Sequence, residues 1–146
     1  REMDPVVADI KKEWDWVGNG IREIHAQFPW LEYRPEDVYA ACTNGIAALY
    51  KTDQGFAVFT VETHPINGHK SFLCWLAWGK NDKKGSLIAE HFNFFCNEGK
   101  KLGCKRINVK TPIDGLDKFL VSQGWRVDMR DFSFNLADNS AAGEII

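Results

Sequence analysis

The segment 71–125 constrains the fold of this chain more than any other part of the sequence. It opens with an almost wholly apolar run, Ser71–Trp78, that ends at Gly79. A strand that is apolar on both faces has to be covered on both sides, so we expect a central strand here. A lysine-rich loop at 80–86, an amphipathic helix and a second strand at 107–109 follow. This order of elements, a strand, a glycine-bearing basic loop, a helix and a second strand, can present backbone N–H groups that bind phosphate.

Positive charge is concentrated in the same region. The chain of 146 residues has 18 basic and 20 acidic residues and a net charge of −2. Between Lys80 and Lys110, however, eight lysines and arginines stand against three acids. An anionic ligand would require such a region, but a solvated loop and helix end would also account for it.

The other patterns complete an alternation of helices and strands. The predicted elements are, in chain order, helices from 4 and from 35, strands 46–50, 56–63 and 71–78, a helix from 86, a strand 107–109, a helix 114–122 and a strand 126–136. Three successive strands favour an antiparallel meander, and the strand–helix–strand unit favours a right-handed crossover. We therefore predict an α/β (α+β) fold in which helices flank a central mixed, mostly antiparallel sheet, in the order α-α-β-β-β-α-β-α-β.

Length and composition indicate one domain, 1–136, followed by a mobile tail, 137–146. The hydrophobic fraction of 45% argues against disorder. No apolar run approaches the roughly 20 residues that span a bilayer, and no apolar stretch of a signal peptide follows the N-terminus. The four cysteines form no CxxC pair, so buried free thiols in a reducing compartment, the cytoplasm, are expected; a disulfide or a metal site is the alternative.

Two short motifs accompany this element order: Gly103-Cys104-Lys105-Arg106-Ile107, and Phe119-Leu120 followed by Gly124-Trp125. With them, residues 14–136 resemble the GCN5-related N-acetyltransferase (GNAT) superfamily, and within it the small GNAT-like proteins that bacteriophages encode. The resemblance implies a GNAT-like fold in which the strand Leu73–Gly79 diverges from its neighbour. Acyl-coenzyme A would enter the resulting cleft, with its pantetheine along the strand edge and its pyrophosphate on the loop N–H groups.

The resemblance also implies the residues that would bind acetyl-CoA: Trp78, Gly79, Lys80, Lys83, Lys84, Gly85 and Ser86. The sequence departs from the family pattern in the loop, where Gln/Arg-x-x-Gly-x-Gly/Ala is usual. Only Gly85 matches, and Asp82 and Leu87 replace the first and last residues of that pattern. Leu120 stands where many members have the tyrosine that protonates the leaving thiolate, and leucine has no proton to donate. The strand also lacks the glutamate that many members use as a base.

Glu62 is the candidate general base, because it lies at the end of the strand before Pro65. A solvated carboxylate is the alternative for this residue. His64 and His69 flank a turn and are expected to be loop residues. His91 lies on an apolar helix face, where a hydrogen-bonded core histidine is expected and a catalytic histidine is the alternative. No metal site is predicted, because no third ligand stands at a telling spacing.

Two classes of function follow. The first is an N-acyltransferase that moves an acetyl group from acetyl-CoA to a primary amine, which could belong to a protein. The second is a catalytically inactive GNAT-like protein with a phage structural or host-interaction role, as the missing tyrosine and the altered loop suggest.

The expected location is the cytoplasm, that of a phage-infected bacterium, or the virion. Acidic overall charge and the lack of a recognised motif argue against nucleic-acid binding. The sequence leaves open whether the chain catalyses.

Overall fold

The structure, a computed structural model, describes residues 4–80 and 86–137, with only the backbone of Ser86. The described strands are β1 (Val6–Ala8), β2 (Ala47–Thr52), β3 (Gly55–Thr63), β4 (Lys70–Gly79) and β5 (Arg106–Val109). The described helices are α1 (Ile10–Gln27), α2 (Pro35–Thr43), α3 (Ser86–Glu90), α4 (Phe92–Lys101) and α5 (Leu116–Ser122). No helix in this part of the chain is long and apolar enough to cross a membrane.

The strands form one sheet in the order β1-β2-β3-β4-β5. Pairing is antiparallel from β1 through β4, and β4 and β5 are parallel. The predicted meander and the crossover between β4 and β5 are therefore confirmed, as is the α/β class with a mixed, mostly antiparallel sheet.

Helices cover both faces of this sheet. Val17 and Ile21 of α1 and Val38 of α2 pack with Phe56 and Val58 of β3, so we call this side the α1–α2 face. On the opposite side, the α4 face, the core is formed by side chains from β2, β3, β4 and the helices α3 and α4: Tyr50, Ala57, Phe59, Phe72, Cys74, Leu87, Ile88 and Phe95. The prediction of a central strand at 71–78 is confirmed, because β4 contributes to the core on both faces.

A β-bulge in β4 changes which face its tryptophans take. Val58 pairs with Leu76 and Phe59 pairs with Cys74, so Trp75 is the extra residue on β4. A bulge breaks the strict alternation of side chains along a strand. Trp75 and Trp78, whose spacing predicts opposite faces, both pack against the α1–α2 core. The expectation of opposite faces is wrong for this reason.

The N-terminal elements also differ from the prediction. Val6–Ala8 forms an edge strand with β2, too short for its alternation to be visible in the sequence. α1 therefore begins later, and the carboxylate of Asp9 caps it by accepting a hydrogen bond from Lys11 N at 2.9 Å. The helix runs unbroken through Gly20, where an added Cβ would lie 2.7 Å from the Phe56 ring. The glycine allows close packing there and does not split the helix.

The predicted final strand, 126–136, is wrong. Residues 126–135 have no strand conformation, and Met129, Phe132, Phe134 and Leu136 are strongly exposed. Val127 and Met129 would fall on one face of a strand but Phe132 and Phe134 on the other, so no single apolar face exists to bury. Residues 138–146 of the predicted tail lie outside the described residues.

Candidate functional site

β5 ends while β4 continues, and we call the place where the edge of β4 becomes free the fork. The parallel pairing of the two strands runs from Ser71 with Arg106 to Cys74 with Val109 and ends there, although β4 continues to Gly79. From Trp75 onward, the edge of β4 that faced β5 has no described strand beside it. Backbone N–H and C=O groups on an unpaired strand edge can hydrogen-bond an amide-containing ligand.

A groove of about 410 Å³ lies on the α4 face, between the α3–α4 junction and α5. His91 and Phe92 line one wall, and Leu120, Gln123 and Trp125 line the other. The rings of Phe92 and Trp125 lie 5.7 Å apart and join the two walls. The groove is thus the space between the helix that precedes β5 and the helix that follows it.

The helix predicted from 86 is interrupted at His91, which separates α3 from α4. His91 is only 6% exposed, as expected for a core histidine. Leu87 is buried in the core of the α4 face, together with Ile88. Ile88 forms part of the groove wall, whereas the side chain of Leu87 does not and packs beneath it.

The residues predicted to bind acetyl-CoA lie around the end of β4. The indole of Trp78 stacks on Phe56 at 5.8 Å and its Nε1 donates a hydrogen bond to Glu23 at 3.3 Å, so this side chain lies on the α1–α2 face. Gly79 and Lys80 are exposed at the strand end, where Lys80 N donates to Gln54 O at 2.7 Å. Ser86 begins α3. Lys83, Lys84 and Gly85 lie outside the described residues, and the assignment of this set to cofactor binding stays a prediction.

Glu62, the predicted base, pairs with Ser71 near the start of β4. Alternation along β3 places it on the α1–α2 face, where its carboxylate lies 3.9 Å from Lys110 Nζ. It borders an open depression of about 430 Å³ with Thr63, His64, Pro65 and Ser71. The carboxylate is accessible on the same face as Trp75, and its role as a base stays a prediction.

An aromatic cluster that the sequence analysis missed lies at the fork. His25 of α1, Tyr33 of the α1–α2 loop and Trp75 form consecutive ring contacts, with centroids 4.8 Å apart for His25–Tyr33 and 5.3 Å for Tyr33–Trp75. Among the residues that the structure describes, His25 Nε2 and Asn108 Oδ1 are buried and have no hydrogen-bond partner. The run of aromatic residues between Phe28 and Tyr33 was the available signal, but the sequence does not show which strand this loop contacts.

The cysteine thiols are free. Cys74 is buried, its Sγ donates to Leu76 O at 3.7 Å, and burial raises its pKa to about 12. Burial also raises the pKa of Cys42 to about 11. Protonated thiols of this kind are poor nucleophiles. Residues 4–80 and 86–137 contain no group of three His, Cys, Asp or Glu side chains that could hold a metal ion.

Because burial raises the pKa of the Cys74 and Cys42 thiols, the free energy of unfolding should fall at alkaline pH. The Cys74 thiol stays protonated in the folded state up to a pKa of about 12, whereas the unfolded thiol ionises near 9.0. The free energy of unfolding should therefore fall as pH rises through this window, by about 1.4 kcal/mol per pH unit for this thiol. Urea unfolding of the unchanged chain and of Cys74→Ala at several alkaline pH values measures this slope. The variant should be less stable at neutral pH but show a shallower decline; equal slopes would contradict the assignment.

Known proteins are similar to this chain in three-dimensional structure, whereas comparison of sequences finds no match. No protein-family model matches the sequence, and no curated protein matches it. Among solved structures, the chain is similar to a probable acetyltransferase at 15% identity and a TM-score of 0.67, covering 91% of this chain and 97% of that one.

Two further neighbours have more specific names. A ribosomal-protein-alanine N-acetyltransferase from Brucella melitensis biovar Abortus 2308 matches at 13% identity and a TM-score of 0.64, covering 91% of this chain and 99% of that one. A glucosamine-6-phosphate N-acetyltransferase from Arabidopsis thaliana matches at 9% identity and a TM-score of 0.60, covering 90% and 97%. The mixed five-stranded sheet, its flanking helices and these matches agree on one architecture: the chain has the GNAT-like fold.

Proposed function

We propose that the chain is an N-acetyltransferase that moves an acetyl group from acetyl-CoA to a primary amine. The observation that carries this proposal is the fork, where the edge of β4 beyond Cys74 has no described strand beside it. The fork supplies unpaired backbone for the pantetheine amides, and the groove supplies a channel along which the rest of the cofactor can lie. The fold shared with acetyltransferases supports the proposal but does not by itself carry it.

In this arrangement the pantetheine lies along the edge of β4 between Trp75 and Gly79, and the thioester reaches the fork. The pyrophosphate binds at the loop from Lys80 to Ser86, where Lys83, Lys84 and Gly85 contribute charge and backbone N–H groups. Trp78 contributes its backbone here, because its indole packs on the α1–α2 face. The excess of basic residues between Lys80 and Lys110 suits a ligand with this many phosphates.

The amine approaches the thioester from the α1–α2 face. Its nitrogen attacks the thioester carbonyl, the N–C bond forms and the C–S bond breaks, so one proton leaves the amine and the coenzyme leaves as a thiolate. Glu62 is the proposed base, acting through a chain of waters, because its exposed carboxylate lies on this face about 13 Å along β4 from Trp75.

The acceptor is proposed as a primary amine without further assignment. The named neighbours act on amines as different as a ribosomal protein's alanine and a phosphorylated sugar. The setting, the cytoplasm of a phage-infected bacterium, rests on the sequence resemblance alone.

Leu120 favours a second candidate, an inactive structural or host-interaction protein of a phage, because it places no proton donor in the groove wall. Two other observations weaken this alternative. Leu87 packs into the core and Trp78 packs on the opposite face of the sheet, so neither side chain fills the groove.

Calorimetric titration with acetyl-CoA tests the binding part of the proposal. We expect saturable heat with acetyl-CoA, and its loss in the presence of excess coenzyme A. Transfer is then measured as thiol release with four acceptors: spermidine, poly-L-lysine, glucosamine-6-phosphate and an alanine-terminated peptide. No heat at millimolar acetyl-CoA, or no thiol release above background with any of these amines, would overturn the proposed function.

Glu62→Gln tests the proposed base. The amide keeps the shape of the side chain but cannot take a proton, so kcat should fall by about 10²-fold while acetyl-CoA affinity is unchanged. Asp53→Asn, which makes the same change in the exposed turn between β2 and β3, is the matched control and should leave kcat unchanged. Equal rates for both variants would remove Glu62 from the mechanism.

A further inference from the structure

Acyl transfer from a thioester needs a proton donor for the departing thiolate, and the groove wall does not supply one at Leu120. The chain has three tyrosines. Tyr50 is buried beneath α4 and its hydroxyl donates to Glu98 at 3.2 Å. Tyr39 packs edge-on against Trp14 at 5.0 Å, between α2 and α1. Of the three tyrosine rings, that of Tyr33 forms a ring contact with the bulged residue Trp75.

Tyr33 lies at the fork. Its ring is in contact with Trp75, the bulged residue that follows the last β4–β5 pair, at a centroid distance of 5.3 Å. Tyr33 therefore lies against the α1–α2 face of β4 at the position where β5 ends and the edge of β4 becomes free.

His25 holds the other side of this ring. Its imidazole meets Tyr33 nearly edge-on at 4.8 Å, and its buried Nε2 has no hydrogen-bond partner within residues 4–80 and 86–137. A buried polar atom that lacks a partner is uncommon in a folded protein and calls for an explanation. One explanation is that Nε2 belongs to an incomplete site and gains its hydrogen-bond partner when substrate or water binds.

The environment of Tyr33 keeps its proton in place. Burial, and after it the neighbouring Cys74 sulfur, raise the pKa of Tyr33 above its ordinary value of 10.0. The side chain is therefore a neutral phenol near neutral pH. The phenol therefore keeps its proton until a strong base, such as a thiolate, forms beside it.

We propose that Tyr33 is the general acid of the transfer and that His25 is the residue that positions it; this assignment rests on the proposed acetyltransferase function. As the C–S bond breaks, the electron pair goes to sulfur and the Tyr33 hydroxyl proton is transferred to it. The resulting phenolate regains a proton from solvent after the products leave. The role thus moves from α5, where Leu120 stands, to the α1–α2 loop.

Tyr33→Phe removes only the hydroxyl and is compared with Tyr39→Phe, which makes the same change away from the fork. With the best acceptor of the panel above, we expect kcat to fall by about 10²-fold in Tyr33→Phe. Acetyl-CoA affinity and the thermal midpoint should not change. Tyr39→Phe should retain the full rate. Equal kcat in the two variants would overturn the assignment while leaving the acetyltransferase proposal intact; no transfer by the unchanged chain would overturn both.

Two further measurements separate chemistry from structure. Fluorotyrosine at position 33 has a more acidic phenol, so the alkaline limb of the kcat profile should move to lower pH, which a purely structural role would not cause. As a single substitution, His25→Asn should lower kcat. Combined with Tyr33→Phe, it should lower kcat no further, because a positioning residue acts through the group it positions. An unmoved pH profile, or additive losses, would count against the pair.

Discussion

Replacing Phe59 with alanine is expected to lower the free energy of unfolding by about 4 kcal/mol, the largest effect on stability among the changes considered. Phe59 is buried in the centre of the sheet, and its ring stacks on Phe72 at 4.4 Å and on Phe95 at 4.7 Å. Truncation would leave a cavity between β3, β4 and α4 that these rigid neighbours cannot fill. Urea unfolding followed by far-UV circular dichroism measures the change.

Phe132→Ala is the matched control, since that phenylalanine is 87% exposed and should change the unfolding free energy by less than about 0.5 kcal/mol. If the two variants were equally stable, the core of the α4 face would not be packed as described. A Phe59 variant that loses cooperativity altogether would support the same conclusion as a large loss of stability.

Replacing Leu120 with tryptophan is expected to abolish measurable acetyl-CoA binding, the largest functional effect outside the catalytic residues. Leu120 lines the groove between the α3–α4 junction and α5, and the larger indole would fill much of its roughly 410 Å³. A ligand that lies in this groove must then give up its contacts there, or the helices must move apart. Calorimetric titration with acetyl-CoA measures the loss.

The adjacent Val121 supplies the control, because it is 51% exposed and is not part of the groove wall. Val121→Trp should bind acetyl-CoA as the unchanged chain does. If Leu120→Trp still bound with full affinity while remaining folded, the cofactor would have to lie elsewhere, and the groove would lose its role in the proposal.

The sequence predicted much of the fold because helices and strands are marked by local periodicity. The apolar run at 71–78 predicted a central strand, and β4 is one. The alternation in 126–136 misled, because apolar residues of both parities occur in it and neither face can be buried as a unit. The short β1 and the break at His91 left no periodic signal of their own.

The candidate site was only partly accessible to the same reasoning. The basic region and the glycine-bearing loop are visible as neighbouring letters, so residues 78–86 could be proposed as a phosphate site. Tyr33 could not, because it is separated from Trp75 by most of the sheet in sequence and meets it only through the packing of the α1–α2 loop. Trp75 itself was placed relative to Trp78 by a strict alternation that the bulge removes.

By itself, the sequence determined most of the elements, their order and the segment in which positive charge gathers, because these depend on neighbouring residues. Only the tertiary structure decided where β5 stops pairing with β4, which residue of β4 bulges, and which loop covers the fork. These features depend on register and on contacts between segments far apart in the chain, and no local periodicity encodes them. The proposed chemistry belongs to that second group, because a proton donor acts by its position at the fork and not by its place in the sequence.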